Sequence, residues 1–590
     1  MSIPYQHSSY DKSPSIRVPG DYSGFRGAPA WEELTRRILD SRVTVIDCYP
    51  GVEVAAIVER LRRTAPEALV IDCEEEAAWP IQRIDQMIAA NLTDDRVFGV
   101  MSHAELTEFY DPERLERIAT TARTSAQPVV IVGWGAALVP VPADLVVLAD
   151  LPRWEIQQRQ RAGMPNWRCH NGNEDVLRKY KRGFFVEWRV ADRHKRPLLQ
   201  RMDLLLDTTV SVAEAVLVPG NAVRAGLQEA TVRPFRVVPF FDPGVWGGQW
   251  MRQVCGLDAD TPNFAWCFDC VPEENSLLLD IGEVSVEIPA INLVHAHPVE
   301  LLGALTHARF GPEFPIRFDF LDTMNGGNLS LQVHPLTGYI QDHFGMSYTQ
   351  DESYYLLDAA DDAVVYLGLR TGADAGQMMA DLRAAQDGRV QFDADRYVNT
   401  FPARKHDHFL IPAGTVHCSG SNSMVLEISA TPFIFTFKMW DWGRVGLDGL
   451  PRPINIDHAE ANIQWSRDSE WTARNLVGRV DEVTRGEGWV EERTGLHELE
   501  FIEVRRHWFT GPVPHHTGGT VNVLNLVEGA EALVESPTGA FAPFVVHYAE
   551  TFIVPAVVGP YTISPHGSAD GQRCGTVKAS VRGTQAGVAA

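Results

Sequence analysis

The segment Asn328–Pro335 constrains the fold more than any other part of the chain, because polar and apolar side chains alternate along it. In an extended strand alternate side chains share one face, so Gln332 and His334 point the same way while their apolar neighbours pack into the opposite layer. Two further strand-like runs each offer a similar group, Glu352 and His417. Such groups on separate strands of one barrel can converge on a divalent cation, so the sequence predicts a metal site inside a β-barrel.

The length of the chain predicts several domains, and its charge excludes some partners. With 590 residues, about three or four domains are expected. The formal net charge of -25 argues against nucleic acid and against an anionic membrane as partners. A small anionic substrate is still compatible with this charge, because one locally basic pocket is enough to bind it.

The sequence carries no sign of secretion or of membrane insertion. The N-terminus lacks a basic segment followed by an apolar one, and no run reaches the ~18 apolar residues that a membrane span needs. The 8 cysteines are scattered along the chain and form no disulfide framework. We therefore expect a cytoplasmic protein, with an oligomeric state that the sequence leaves open.

The N-terminal third of the chain has the pattern of an α/β domain. Short apolar strands alternate with amphipathic helices over residues 31–207, which predicts a parallel sheet covered by helices. Residues 1–30, rich in Ser, Pro, Gly and Tyr, are predicted to form an arm, and residues 208–235 a linker.

The order of elements in residues 31–207 resembles the nucleoside and uridine kinases of the P-loop class. Arg153, Arg159 and Arg161, after the fifth strand, look like the start of that family's lid helix. The first strand, however, is followed by Asp47–Val54, which has no G-x-x-x-x-G-K-[ST] loop to bind phosphates and magnesium, and Glu53 would repel a nucleotide. The sequence therefore predicts a degenerate kinase-like domain with a structural or regulatory role, and an active kinase is the less favoured alternative.

From about residue 236 the sequence pattern changes to short strand-like runs separated by frequent Gly and Pro, which predicts all-β domains. Five motifs lie in this part of the chain: Trp246-Gly247-Gly248, Leu329 to Pro335, Glu352 to Tyr355, Pro412 to His417 and Asp441 to Arg444. Together they resemble the class I mannose-6-phosphate isomerases over roughly residues 236–570. Members of that family have the cupin (jelly-roll) fold and interconvert mannose 6-phosphate and fructose 6-phosphate.

The resemblance implies a metal site. Gln332, His334, Glu352 and His417 match the family's zinc ligands one by one. Imidazole and carboxylate donors suit Zn²⁺ independently of the resemblance, and Fe²⁺ or Mn²⁺ is compatible with the same donors. With a single carboxylate the site keeps a net positive charge, so one bound ion per chain stays a Lewis acid.

The resemblance also implies two catalytic residues. Aldose–ketose isomerisation moves a proton between C1 and C2 of the open-chain sugar through an enediol(ate), which requires an acid/base group near the metal. Glu427 matches the family glutamate that follows the last zinc ligand, and is the candidate base. Lys438 stands at the position of the family's active-site arginine.

Two departures from the family pattern concern the substrate. Lys438 keeps the positive charge of the family's arginine but loses the planar fork, and Gln350 replaces a lysine that precedes the ligand glutamate. A basic loop offers replacements for the missing cation, or is simply solvated: Arg404, Lys405, His406 and His408. The departures keep two alternatives open, namely a sugar-binding or sensor protein without turnover, and an isomerase of a different aldose.

The boundaries predicted for the β domains complete this interpretation. Residues 236–480 are expected to form the metal-binding cupin domain, with a helical insertion at 373–396. Residues 481–578 resemble the family's second, metal-free cupin domain, and residues 579–590 are expected to form a frayed tail.

Overall fold

The computed structural model describes residues 8–430, 435–447, 449, 452–495, 497 and 500–583. Within it the chain divides into two compact units. The N-terminal unit consists of Ser15–Ala230 and Glu274–His297, and the barrel unit of the described parts of 1–14, 231–273 and 298–590. A multidomain chain rich in β-sheets is thereby confirmed.

The strands are β1 Ser15–Arg17, β2 Phe25–Arg26, β3 Val43–Cys48, β4 Leu69–Asp72, β5 Val129–Gly133, β6 Leu145–Asp150, β7 Leu204–Asp207, β8 Val216–Pro219, β9 Phe240–Asp242, β10 Trp266–Cys270, β11 Ser276–Ile281, β12 Val284–Pro289, β13 Arg317–Asp322, β14 Leu331–Val333, β15 Glu352–Ala359, β16 Val364–Leu369, β17 Val398–Pro402, β18 His408–Ile411, β19 His417–Ser419, β20 Ser423–Ser429, β21 Phe437–Trp440, β22 Asp481–Gly486, β23 Trp489–Arg493, β24 Ile502–Phe509, β25 Val513–His516, β26 Asn522–Glu528, β27 Glu531–Glu535, β28 Phe544–His547, β29 Thr551–Val554, β30 Pro560–Pro565 and β31 Cys574–Val581.

The α-helices are α1 Ala28–Leu39, α2 Val54–Thr64, α3 Cys73–Ala77, α4 Ile81–Leu92, α5 Pro112–Thr124, α6 Arg153–Arg161, α7 Val176–Arg182, α8 Trp188–Arg201, α9 Gly220–Thr231, α10 Trp250–Val254, α11 Ile291–Ala296, α12 Pro298–Leu302, α13 Ala304–Phe310, α14 Thr337–Phe344, α15 Ala375–Gln386, α16 Ala394–Tyr397, α17 Ile456–Glu460 and α18 Ser469–Leu476. Helix α15 lies within the predicted insertion at 373–396, and α16 begins there and ends one residue beyond it. No helix in the described part of the chain is long and apolar enough to cross a membrane.

The N-terminal unit is built on a seven-stranded sheet with the order β2-β8-β7-β6-β3-β5-β4. The five strands from β7 to β4 run parallel. At one edge, β8 pairs antiparallel with β7, and β2 pairs antiparallel with β8. Every residue of β3 and β5 is buried, as expected for parallel strands covered on both faces. Numbered along the chain, the parallel strands follow the order 2-3-1-4-5. Kinship with nucleoside kinases stays a prediction.

The structure corrects the predicted linker and the predicted arm. Residues 208–235 contain β8 and α9, and β8 extends the sheet because its apolar side chains are buried against β7. The arm is not free either, since β1 pairs with β11 and β2 pairs with β8. Tyr10, further towards the N-terminus, is buried in the barrel unit, where it contacts Asp269.

The structure also corrects the predicted boundary at 236. Residues 274–297, in the middle of the predicted metal-binding domain, belong to the N-terminal unit. They form the hairpin β11–β12 and helix α11, and β11 joins β1 in a three-stranded sheet. Asn292 of α11 donates a hydrogen bond to Asp150, which lies at the end of β6, over a distance of 3.0 Å.

The barrel unit contains two pairs of sheets, which we call the first and the second barrel. The first has a six-stranded sheet, β18-β15-β20-β13-β10-β9, and a five-stranded sheet, β17-β16-β19-β14-β21. The second has a six-stranded sheet, β22-β23-β24-β31-β26-β29, and a four-stranded sheet, β25-β30-β27-β28, with an apolar core between them.

The ordered strands of the second barrel extend further towards the C-terminus than predicted. The predicted tail at 579–590 begins too early, because β31 runs to Val581 with its side chains buried, and residues 584–590 lie outside the described residues. The adjacent residues His515 and His516 lie on β25, where they face opposite sides, so that His515 is buried and His516 is exposed.

Candidate metal centre

The five-stranded sheet of the first barrel places three of the predicted site residues in one row. Gln332 on β14 lies opposite His417 on β19 and, on its other side, opposite Lys438 on β21. Residues directly opposite each other on neighbouring strands share a face of the sheet, and His334, two positions after Gln332, shares it as well. The alternation in the sequence therefore directs both imidazoles into the barrel.

The six-stranded sheet contributes the carboxylates from the other side. Glu352 begins β15, and Tyr354 shares its face. Glu427 on β20 lies opposite Tyr354 on one side and opposite Asp319 of β13 on the other. The carboxyl groups of Glu352, Glu427 and Asp319 thus face the interior of the first barrel from three neighbouring strands.

His334, Glu352 and His417 form a buried group whose possible ligand atoms all lie within 4.8 Å of one another. His334 Nε2 is 3.2 Å from one carboxylate oxygen of Glu352, and His417 Nε2 is 2.9 Å from the other. The carboxamide of Gln332 is 3.3 Å from His417 Nε2. Three of the four predicted ligands therefore lie around one point, and the fourth, Gln332, lies next to His417.

Backbone carbonyl groups fix the orientation of both imidazoles. His334 Nδ1 is 3.0 Å from the carbonyl oxygen of Phe435, and His417 Nδ1 is 2.9 Å from that of Thr415. A carbonyl oxygen can only accept, so Nδ1 of each ring donates to it and Nε2 of each ring faces the carboxylate of Glu352. This is how ligand histidines are held in metalloproteins.

The donor set fits a divalent cation. His334 and Glu352 are 1% and 0% exposed, and although His334 Nε2 and Glu352 Oε1 lie within 3.2 and 2.9 Å of an ion-pair partner, neither atom has hydrogen-bond geometry in the described part of the chain. A buried polar atom without a hydrogen bond costs about 1–3 kcal/mol, which a bound cation would offset. Two imidazoles, one carboxylate and one carboxamide match the ligand preferences of zinc and of similar transition metals.

The environment separates the two glutamates chemically. Burial alone would raise the pKa of Glu352, but the imidazoles of His334 and His417 lower this pKa below its usual range. Burial raises the pKa of Glu427 well above its usual range, and the charges of Glu352 and Asp319 add to the effect. The first carboxylate is suited to holding a cation and the second to exchanging a proton.

The basic loop predicted as a source of substrate contacts lies elsewhere. Lys405 and His406 both contact the carboxylate of Glu528 in the second barrel, at 2.6 and 3.1 Å. His408 lies opposite Tyr355, on the face of the sheet that points away from Glu352. Of the cations considered in the sequence, Lys438 alone is in the row of metal-site residues.

Two features of the site escaped sequence reasoning. Gln350 is 2% exposed and contacts both Glu352 and Glu427, and an ion pair between Arg317 and Asp319 lies buried beside Glu427. The available signal for the ion pair was spacing, because Arg317 and Asp319 lie two residues apart on β13 and residues so spaced on a strand share a face. Gln350 lies just before β15, where strand periodicity gives no such signal.

Comparison with a protein-family model identifies one matching region. Residues 30–232 match a domain of unknown function, DUF8485. The match coincides with most of the N-terminal unit and assigns no activity to it.

Sequence relatives of the chain are mannose-6-phosphate isomerases at low identity. The mannose-6-phosphate isomerase of Streptococcus mutans is 26% identical over 217 residues, which are 36% of this chain and 63% of the relative. Mannose-6-phosphate isomerase ManA of Bacillus subtilis is 23% identical over 235 residues, 38% of this chain and 66% of the relative. The chain therefore spans just under two thirds of the length of these two relatives.

Comparison with solved structures finds matches at low identity. A mannose 6-phosphate isomerase from Bacillus subtilis is 18% identical, with a TM-score of 0.48, covering 59% of this chain and 99% of that chain. A variant of phosphomannose isomerase from Salmonella typhimurium is 14% identical, with a TM-score of 0.45, covering 59% and 98%.

Proposed function

We propose that the chain is a metal-dependent aldose–ketose isomerase that interconverts mannose 6-phosphate and fructose 6-phosphate. The observation that carries this proposal is the buried group of His334, Glu352 and His417, with Glu427 joined to it as a second carboxyl group of raised pKa. The names of the sequence relatives support the same activity.

In this proposal Gln332, His334, Glu352 and His417 would hold one Zn²⁺ per chain, with Fe²⁺ or Mn²⁺ as compatible ions. When bound, the ion supplies Lewis-acid polarisation of the sugar's carbonyl and neighbouring hydroxyl oxygens. The protein's own contribution is a buried cage with fixed imidazoles, in which electrostatic interactions are stronger than in water.

Glu427 is the proposed acid/base group. It lies on the same inner face as Glu352, and the carboxylate needs to take a proton from one carbon of the open-chain sugar and return it to the adjacent carbon. An acid/base group works best with a pKa near the working pH, and burial beside two other carboxyl groups raises the pKa of Glu427 in that direction.

Lys438 is the proposed contact for the negatively charged end of the substrate. Its place opposite Gln332 puts it at the edge of the ligand row, and it is only partly buried. As a flexible point charge it attracts an oxyanion without the fixed bidentate geometry of an arginine.

One observation favours a second candidate, an isomerase of a different aldose or a sugar-binding protein without turnover. Both donors of Gln350 are engaged by Glu352 and Glu427, and Lys405 is engaged by Glu528. The carboxamide of Gln350 and the ammonium group of Lys405 are therefore already engaged by carboxylates rather than left for a phosphate.

A substrate screen distinguishes these functions. The full chain, loaded with zinc, is assayed for isomerisation of mannose 6-phosphate, of other aldose phosphates and of the unphosphorylated sugars, with and without a chelator. We expect chelator-sensitive turnover of mannose 6-phosphate. If the chain turns over only another aldose, it is an isomerase of that aldose and not of mannose 6-phosphate. If it binds a sugar but turns over none, it is a sugar-binding or sensor protein.

For the N-terminal unit we propose a degenerate kinase-like domain with a structural role. The carboxyl ends of parallel strands usually form the ligand crevice of such a sheet. Here the acids at these ends are engaged by the unit itself: His194 lies 2.9 Å from Asp47, Lys195 lies 3.1 Å from Asp150, and the backbone N–H of Glu287 donates to Asp207.

Nucleotide binding tests this second proposal. We expect ATP with Mg²⁺, up to about 1 mM, to leave the thermal unfolding temperature of the full chain unchanged, because a ligand stabilises only the folded state that it binds. A micromolar dissociation constant for ATP would contradict the structural role. A cytoplasmic location and a metal-free second barrel stay predictions of the same scheme.

A further inference from the structure

Gln350 makes three hydrogen bonds with its side chain, and all three lead to the metal centre. Its carboxamide oxygen accepts from the backbone N–H of Phe435 at 2.7 Å. Its carboxamide nitrogen donates to Glu352 Oε2 at 3.1 Å and to Glu427 Oε1 at 3.2 Å. The residue is 2% exposed, so these bonds form in a dry environment where they are strong.

Only one orientation of this carboxamide is compatible with its neighbours. The Phe435 N–H can only donate, and the ionised carboxylate of Glu352 can only accept. Turning the amide over would bring its oxygen against the carboxylate of Glu352 and its NH₂ group against the N–H of Phe435. The position of the donors between Glu352 and Glu427 is therefore determined by the surrounding groups.

The backbone of Phe435 extends this arrangement to a histidine ligand. While its N–H bonds Gln350, its carbonyl oxygen is the 3.0 Å partner of His334 Nδ1. A continuous series of hydrogen bonds thus runs from His334 through Phe435 and Gln350 to Glu352 and Glu427. Each member limits the freedom of the next.

We propose that Gln350 is a positioning residue, which holds the ligand carboxylate of Glu352 and the proton-exchanging carboxyl of Glu427 in a fixed relation to each other. The part that concerns Glu427 rests on the proposed isomerase function. The part that concerns Glu352 requires only that the centre binds a metal.

The neutrality of the residue is part of this role. An ammonium group between the two glutamates would form ion pairs with them and compete with the cation for the charge of Glu352. A carboxamide orients both carboxylates through its two N–H groups and leaves their charge in place. Gln350 therefore aligns the pair while preserving the attraction of the site for a cation.

The test uses Gln350→Met, which matches the length of the side chain but has no donor. Zinc affinity of the full chain is measured by competition with a chelating dye, and the visible absorption of the Co²⁺-loaded protein reports ligand geometry. Removing an outer partner of a ligand typically weakens metal affinity or activity about 10–100-fold, so we expect a loss of that size and an altered Co²⁺ spectrum.

Gln377→Met is the matched control. Gln377 lies exposed on α15, where its NH₂ group also donates to a carboxylate, that of Asp381, at 2.7 Å. The same substitution there removes the same kind of hydrogen bond at an exposed position whose partner is not a ligand residue, and we expect zinc affinity and the Co²⁺ spectrum to stay unchanged.

Gln350→Asn provides a milder variant that preserves folding should the methionine variant unfold. It keeps the carboxamide but withdraws it by one methylene, so it reaches one carboxylate at most. We expect a loss of zinc affinity between those of wild type and Gln350→Met. Wild-type zinc affinity and an unchanged Co²⁺ spectrum in the folded variant would overturn the proposal.

Turnover adds an independent readout for Glu427. With an active substrate, we expect kcat of Gln350→Asn to fall about 10-fold or more while KM changes less than about twofold, because alignment rather than substrate binding is lost. A change confined to KM would overturn the role towards Glu427. Absence of turnover in the wild type would refute the isomerase function, whereas zinc affinity would still decide the role towards Glu352.

Discussion

The two barrels contain similar polar groups, and they differ in what surrounds these groups. The first barrel has His334, His417 and Glu352, and the second has His507, His515 and a third residue, Glu491. In the second barrel the ring centroids of His507 and His515 lie 4.4 Å apart, and His507 Nε2 is 3.2 Å from Glu491 Oε1. The described residues nevertheless form a possible metal-holding group in the first barrel only.

The difference lies in orientation and in charge. In the first barrel, backbone carbonyls turn both Nε2 atoms towards one carboxylate. In the second barrel, Glu491 is also bound by Arg505 at 3.0 Å, while His515 stacks on Tyr561 and makes no hydrogen bond in the described part of the chain. Burial next to the positive charge of Lys578 lowers the pKa of both imidazoles. Ligand-type residues are therefore not sufficient for a metal site.

The largest expected difference between the barrels concerns the ligand carboxylate. Glu352→Gln removes the negative charge to which both imidazoles point, so we expect turnover to fall below detection in a steady-state assay. Glu491→Gln makes the same exchange in the second barrel and is expected to leave kcat within about twofold of wild type. Equal losses in both variants would break the distinction.

A smaller effect is expected for the second carboxyl group of the first barrel. Glu427→Gln keeps the shape of the side chain and its contact with Gln350 but cannot exchange a proton. General acid–base catalysis contributes about 10²–10⁴-fold, and we expect kcat to fall by that factor. Zinc content of this variant should equal that of wild type, since a loss of zinc would assign Glu427 to metal binding instead.

The smallest expected effect concerns the stability of the second barrel. Burial lowers the pKa of His507 to about 4 from 6.5, so between these pH values the unfolded chain binds a proton that the folded chain does not. The folded state is therefore fully stabilised above pH 6.5 and loses about 3 kcal/mol as the pH falls to 4.

His507→Gln tests this pH dependence. The variant is expected to flatten the decline of the unfolding temperature between pH 6.5 and pH 4 while turnover at neutral pH is unchanged. His516→Gln, at the exposed neighbouring position on β25, serves as the control and should retain the wild-type profile. An identical profile for His507→Gln and wild type would contradict the attribution to His507.

Parts of the fold and of the site could be predicted from the sequence because they depend on local patterns. Alternation places Gln332 and His334 on one face, and the predicted ligands meet because strands of one barrel share an interior. The place of residues 274–297 could not be predicted, since an amphipathic hairpin carries no local information about which sheet it joins. The role of Gln350 depends on Glu427 and Phe435, which lie 77 and 85 residues further along the chain and which only the folded chain brings next to it.

The metal content of the purified full chain tests the central claim most directly. Zinc is measured by mass spectrometry after loading and removal of excess metal, in the wild type, in His334→Ala and in His515→Ala. We predict about one zinc ion per chain in the wild type and in His515→Ala, and none in His334→Ala. Retention of zinc in His334→Ala, or its loss in His515→Ala, would contradict the assignment of the metal centre to the first barrel.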